Sequence, residues 1–145
     1  MKILLLNPPF LTKFSRPQRS PAVTKSGTLY FPMWLAYATG VLGKNGFDVD
    51  LIDAPAADYS LDDVIEKTRK FQPSLIVLDT STPSIYNDVA VAGQLKELCP
   101  SSFIVLVGTH VSALPDETLN IDKRVDAIAR YEYDYTLLDL AKTLE

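Results

Sequence analysis

Cysteine, histidine and tryptophan each occur once in the 145 residues, as Cys99, His110 and Trp34, and glycine occurs only six times. A single cysteine excludes an internal disulfide and any metal cluster ligated by cysteines of this chain alone. Its expected role is packing at a helix end. A single imidazole without carboxylates or thiols at ligand spacing makes a poor zinc site. No apolar run approaches the roughly 20 residues that span a bilayer. Met1 leads directly into the strand-like Lys2-Ile-Leu-Leu-Leu6, which lacks the apolar core and cleavage site of a secretory signal. The expected address is the cytoplasm, with no transmembrane segment.

Acidic residues are missing from the first 47 positions, which carry six Lys or Arg, whereas residues 48–145 carry eight Lys or Arg and all eighteen acids. The net charge of −4 thus hides a basic N-terminal third. Lys13, Arg16, Arg19 and Lys25 fall in one irregular stretch, either a solvated loop or a surface facing an anionic ligand or another domain. Nucleic acid is not expected as a partner, because the balance is acidic and no aromatics are interleaved regularly with the basic residues.

What is present is a 47% hydrophobic, 22% charged chain with the size and composition of one globular domain over residues 1–145. Short β-rich runs at 2–6, 47–52, 74–79, 103–107 and 125–129 alternate with helical patterns at 32–44, 61–71, 85–98, 114–119 and 135–144. Such alternation predicts an α/β fold with a parallel sheet, and right-handed crossovers give the strand order 2-1-3-4-5. The first, third and fourth runs are almost continuously apolar, as in central strands covered on both faces. Ser60 followed by Asp63 reads as a capping box. About twenty residues, 10–31, separate the first strand from its helix where two to six are usual. We expect this loop to be mobile or displaced, with its natural cover supplied by another domain.

The candidate polar residues gather on the carboxyl edge of that sheet, where open α/β sheets bind ligands. Asn7 follows the first strand; Thr80, Ser81, Thr82 and Ser84 follow the third; Gly108, Thr109 and His110 follow the fourth; Glu132 follows the fifth. Hydroxyls before a helix cap it or bind ligand nitrogens and phosphate oxygens. Gly108 either makes a tight turn or admits a flat ligand close to the backbone, in which case enlarging it to valine tests the slot. His110 has the chemistry of a ligand, a proton carrier, a hydrogen-bond donor or a packed loop residue. Asp79 suggests a phospho-receiver, but the acidic pair after strand one and the lysine after strand five are lacking. Asn7-Pro-Pro9 removes two backbone donors where a dinucleotide or phosphate loop needs them, which disfavours NAD and ATP.

Asn7-Pro-Pro9, the run from Ser20 to Pro32, Trp34-Leu-Ala-Tyr-Ala38, Asp53-Ala-Pro-Ala56, Gly108-Thr-His110 and Arg130-Tyr-Glu-Tyr-Asp-Tyr-Thr136 occur in one order. Together they resemble the N-terminal cobalamin-binding domain of B12-dependent radical S-adenosylmethionine enzymes, in the branch that contains anaerobic magnesium-protoporphyrin monomethyl ester cyclase and hopanoid-biosynthesis proteins. The resemblance implies a flavodoxin-like module that presents the corrin to a C-terminal catalytic barrel of the same protein. The barrel holds a 4Fe-4S cluster and S-adenosylmethionine. The nucleotide tail is expected beside Thr80-Ser-Thr82 and Gly108-Thr109, with Asn7, His110 and Glu132 also at the cofactor. Cobalt is bound without the axial histidine of the methionine synthase type, since no Asp-x-His-x-x-Gly follows strand one, and any contact from His110 is not obligatory. No residue of this chain is expected to be catalytic. Two features depart from the family: Tyr131 stands where Arg-Gly-Glu is common, and only Cys99 is available where the barrel uses three cysteines. An FMN-binding flavodoxin-like protein and an interaction domain without cofactor are the alternatives.

Overall fold

The computed structural model describes residues 1–16 and 27–145. Its elements are β1 (Lys2–Asn7), α1 (Met33–Lys44), β2 (Asp48–Asp53), α2 (Ala54–Ala57), α3 (Leu61–Phe71) and β3 (Leu75–Thr80). A 3-10 turn (Thr82–Ser84) then leads into α4 (Ile85–Leu98), β4 (Phe103–Gly108), α5 (Thr109–Ala113), α6 (Pro115–Ile121), β5 (Ala127–Ile128) and α7 (Asp134–Leu144). All strand pairs are parallel and the order is β2-β1-β3-β4-β5, the flavodoxin-like arrangement expected from the alternation.

The central strands are apolar throughout because each feeds two cores. Leu4, Leu6, Ile76, Leu78, Ile104 and Leu106 point to one face and pack with Val64 of α3 and Ile85, Val89, Ala92 and Leu95 of α4. Ile3, Leu5, Leu75, Val77, Val105 and Val107 point to the other, against Leu35, Ala38 and Leu42 of α1 and Leu137, Leu138 and Ala141 of α7. This period-two split follows from strand geometry, and with helices on both faces it leaves the strand ends as the place for a ligand.

The capping box at α3 is present: Ser60 Oγ accepts from Asp63 N–H at 3.2 Å, and Asp63 Oδ2 accepts from Ser60 N–H at 2.8 Å. Replacing Ser60 with alanine is expected to cost about 1 kcal/mol in urea unfolding. Three local expectations differ. The regular β5 ladder covers two residues rather than five, although Asp126 N–H to Ile104 O (3.0 Å) and Ala129 N–H to Leu106 O (2.9 Å) continue the pairing at its ends. Helices α2 and α5, of four and five residues, have too few turns to show a period. At the start of α4, no side-chain oxygen caps the helix. Ser84 Oγ instead donates to Asp88 Oδ2 at 2.6 Å and meets Ser81 Oγ at 2.7 Å, so a buried carboxylate has taken the hydroxyls.

Much of the long loop, including Arg19 and Lys25, lies outside the described residues. Its first part is not displaced: Phe14, Ser15 and Arg16 are buried. The Arg16 guanidinium pairs with Asp88, with side-chain exposures of 1% and 0%, so it belongs to the interior rather than to a solvated basic surface.

Candidate functional site

A crevice of about 730 Å³ opens at the carboxyl ends of β3, β4 and β5, within the range of small-molecule sites. Asp79 and Thr80 close one side, Gly108, Thr109 and Ser112 another, and Arg130, Tyr131, Glu132 and Tyr133 a third, with Arg16 and Trp34 completing the lining.

Strand register creates its narrow end. Thr80 stands opposite Gly108 and Asp79 opposite Val107. Gly108 has φ 106°, and a Cβ there would lie 2.4 Å from Thr80 O and 2.5 Å from Asp79 Oδ1. The two strand ends therefore touch, and only glycine serves. Gly108→Val, which the sequence suggests as a probe of the slot, would break this contact whether or not a ligand passes, so ligand binding needs a different probe.

Four of the eight residues expected at the cofactor line this crevice: Thr80, Gly108, Thr109 and Glu132. Thr80 Oγ1 donates to Val107 O at 2.7 Å, which leaves its lone pairs to accept. The other four lie elsewhere. Ser81 is buried in the hydroxyl chain that ends on Asp88. Thr82 is exposed, with Oγ1 3.3 Å from His110 Nδ1. His110 is 2% exposed, and its Nε2 has no partner among the described residues. Asn7 is spent within the protein: Nδ2 donates to Asp53 Oδ1 at 2.8 Å and Oδ1 accepts from Arg16 Nη1 at 2.7 Å.

Arg16 organises this network. Besides Asn7, its Nη1 donates to Pro8 O at 2.6 Å, and its Nε and Nη2 fork onto the two oxygens of Asp88. Asn87 Nδ2 donates to Pro9 O at 2.8 Å and to Asp88 Oδ1 at 3.2 Å. The segment after β1 is thereby fastened across the sheet edge, and the two carbonyls of Asn7-Pro-Pro9 that face it are already satisfied.

Three further lining residues, none among the eight expected at the cofactor, carry chemistry. Burial pushes the Asp79 carboxyl up to about 7; Arg16 opposes the shift, while Asp88 and Asp53 add to it. Its Oδ1 accepts from Thr80 N–H at 3.0 Å. Tyr133 is 4% exposed, and its hydroxyl has no partner among the described residues. Arg130 donates through Nη2 to Ser112 O (3.1 Å) and Tyr131 Oη (2.8 Å) at the rim. Tyr131 itself has φ 60°, the left-handed region that favours glycine, which accounts physically for the glycine common in the resembling family. Tyr131 is 71% exposed on the crevice lining, and its ring lies against the Arg130 guanidinium. Trp34 on the lining is more than half exposed, as are its near neighbours in the chain Tyr30, Phe31, Met33 and Tyr37. Among the described residues no group of three or more metal-ligating side chains occurs, and no helix is long and apolar enough to cross a membrane.

A family model described as B12 binding domain matches residues 19–141. An uncharacterized methyltransferase of Pyrococcus horikoshii is 30% identical over 144 residues, which are 99% of this chain and 29% of that protein. The anaerobic magnesium-protoporphyrin IX monomethyl ester cyclase of Cereibacter sphaeroides is 33% identical over 115 residues, 79% of this chain and 19% of that protein. The chain thus spans less than a third of either relative. Among solved structures, the cobalamin-dependent S-adenosylmethionine radical enzyme OxsB with aqua-cobalamin and S-adenosylmethionine bound superposes with a TM-score of 0.77 at 17% identity, over 99% of this chain and 18% of that one. At that identity the likeness is one of fold.

Proposed function

The chain belongs to the B12 binding domain family, and from that premise we propose that its carboxyl-edge crevice receives the nucleotide tail of cobalamin while the corrin ring rests across the aromatic mouth. The carrying observation is the crevice itself, walled by β3, β4 and the turn before α7. A complete corrinoid is far larger than the drug-sized ligands that such volumes hold, whereas its tail is smaller than one. Thr80 and Thr109 offer hydroxyls to the tail, and Arg130 offers a cation to its phosphodiester. Trp34 and Tyr131 present flat apolar surface at the rim. His110 does not line the crevice, in keeping with cobalamin held without an obligatory histidine.

Bound cobalamin supplies cobalt chemistry that no side chain offers. This chain's own part is to hold and orient the cofactor and to keep water from its buried tail. The rest of the reading concerns the longer protein: a module of residues 1–145, in the cytoplasm, presents the corrin to a C-terminal radical S-adenosylmethionine barrel that holds S-adenosylmethionine and a 4Fe-4S cluster on cysteines of its own. The length of the relatives supports it. An FMN site is disfavoured, because Pro8 and Pro9 lack N–H groups where a phosphate loop would need them.

Trp34 is the only tryptophan and lines the crevice, so its fluorescence reports occupancy. Hydroxocobalamin is expected to quench it saturably and to remain with the chain through desalting in a one-to-one ratio, while FMN does neither. Flavin retention, or quenching by neither compound, would defeat the reading.

A further inference from the structure

Tyr133 begins from an anomaly of hydrogen bonding. Its neighbours on this edge are buried and paired: Thr80 to Val107, Ser81 to Ser84, Ser84 to Asp88 and Asp88 to Arg16. Tyr133 lines the crevice, and its hydroxyl, sealed from bulk solvent, has no partner among the described residues. An orphaned buried donor costs about 1–3 kcal/mol. The ring's packing gives no reason for that cost, since it sits in the apolar cluster of Val107, Ala129 and Leu137, where a phenylalanine would fill the same space.

We infer that the Tyr133 hydroxyl donates a hydrogen bond to an acceptor at the buried end of the cobalamin tail, so that the crevice selects corrinoids by their lower appendage. The inference rests on the reading of the crevice given above. Burial first, then the Asp79 and Asp134 carboxylates, push the phenol upward, so it stays protonated and remains a donor throughout the working range of pH. Asp79 lines the same crevice, with Oδ1 on the Thr80 N–H. A neutral group with acceptor character suits this floor: a ring nitrogen of the terminal base or a ribose hydroxyl. A second carboxylate or a phosphate does not, because it would face Asp79 and Asp134.

The test compares Tyr133→Phe with the parent chain by Trp34 quenching against three probes: hydroxocobalamin, cobinamide, which has no nucleotide, and p-cresolyl cobamide, whose terminal base has no ring nitrogen. Tyr133→Phe is expected to weaken hydroxocobalamin about tenfold, to leave cobinamide unchanged, and to leave the melting temperature without ligand unchanged or raised. If the acceptor is the ring nitrogen, p-cresolyl cobamide is bound by parent and variant alike; if it is the ribose, the variant weakens both cobamides. An unaltered hydroxocobalamin affinity, or an equal loss for cobinamide, overturns the inference and leaves the crevice reading standing. A parent chain that binds no corrinoid overturns both. Should Tyr133→Phe unfold, Tyr133 has a packing role that contradicts the argument from the cluster, and equal parent affinity for hydroxocobalamin and cobinamide then decides against tail selection.

Discussion

Asp88→Ala is expected to lower the unfolding free energy by about 3–5 kcal/mol, the cost of leaving a buried charge without its partner. Asp88 is fully buried and accepts from Arg16 Nε and Nη2, from Ser84 Oγ at 2.6 Å and from Asn87 Nδ2 at 3.2 Å. Without it the Arg16 guanidinium keeps, among the described residues, the hydrogen bonds from Nη1 to Asn7 Oδ1 and Pro8 O. Removing both charges should cost much less than the sum, because an apolar pair of similar volume escapes the desolvation penalty. Arg16→Met with Asp88→Leu is therefore expected to recover at least half of the loss. Urea unfolding measures all three variants. A loss under about 1 kcal/mol for Asp88→Ala would show that water or a mobile Arg16 already compensates the charge. Because Arg16 also lines the crevice, the single variant should weaken hydroxocobalamin binding as the segment after β1 loosens.

This ion pair marks the limit of what the sequence discloses. Arg16 and Asp88 are 72 positions apart, and nothing in the local run around Arg16 separates a solvated arginine from a buried one. The period-two and continuous apolar runs disclosed the strands and their order because strand burial is a local pattern. Gly108 and the Ser60–Asp63 box were legible because turn and cap chemistry is local as well. Thr80, Gly108, Thr109 and Glu132 reached the same crevice because strand ends are fixed by topology. Ser81 and Asn7 did not, since a hydroxyl or amide near the edge can be claimed by a buried charge that only the tertiary fold brings close. Tyr133 is one of three alternating tyrosines, Tyr131, Tyr133 and Tyr135, and only burial separates it from its two exposed neighbours. Their spacing of two would place all three on one face of a strand, and only the turn into the helix at Asp134 sends Tyr133 inward, which no local pattern discloses.

Asp79→Asn is expected to stabilise the chain at pH 8 by about 2–4 kcal/mol and to leave it unchanged near pH 4. Burial raises the Asp79 carboxyl from 3.8 to about 7 in the fold. Between those two values the folded state holds a proton that the unfolded chain has released, so stability falls as pH rises through the window and the full cost is present above about 7. At 1.36 kcal/mol per pH unit the ceiling is about 4 kcal/mol. Asparagine keeps an oxygen for the Thr80 N–H, now at 3.0 Å, and carries no charge to desolvate, so its stability lacks this dependence. The lowered carboxylates Asp63, Glu66 and Asp122 act with the opposite sign, losing stability as pH falls. They are common to both proteins and cancel in the difference. Paired urea unfolding curves from pH 4 to pH 8 give that difference directly. A gap that is constant with pH, or a variant less stable at pH 8, would show that Arg16 holds Asp79 ionised and that the crevice floor is anionic. A gap that opens between pH 4 and pH 8 would establish that Asp79 is protonated below about pH 7, the condition under which Asp79 and Tyr133 can both face an uncharged tail.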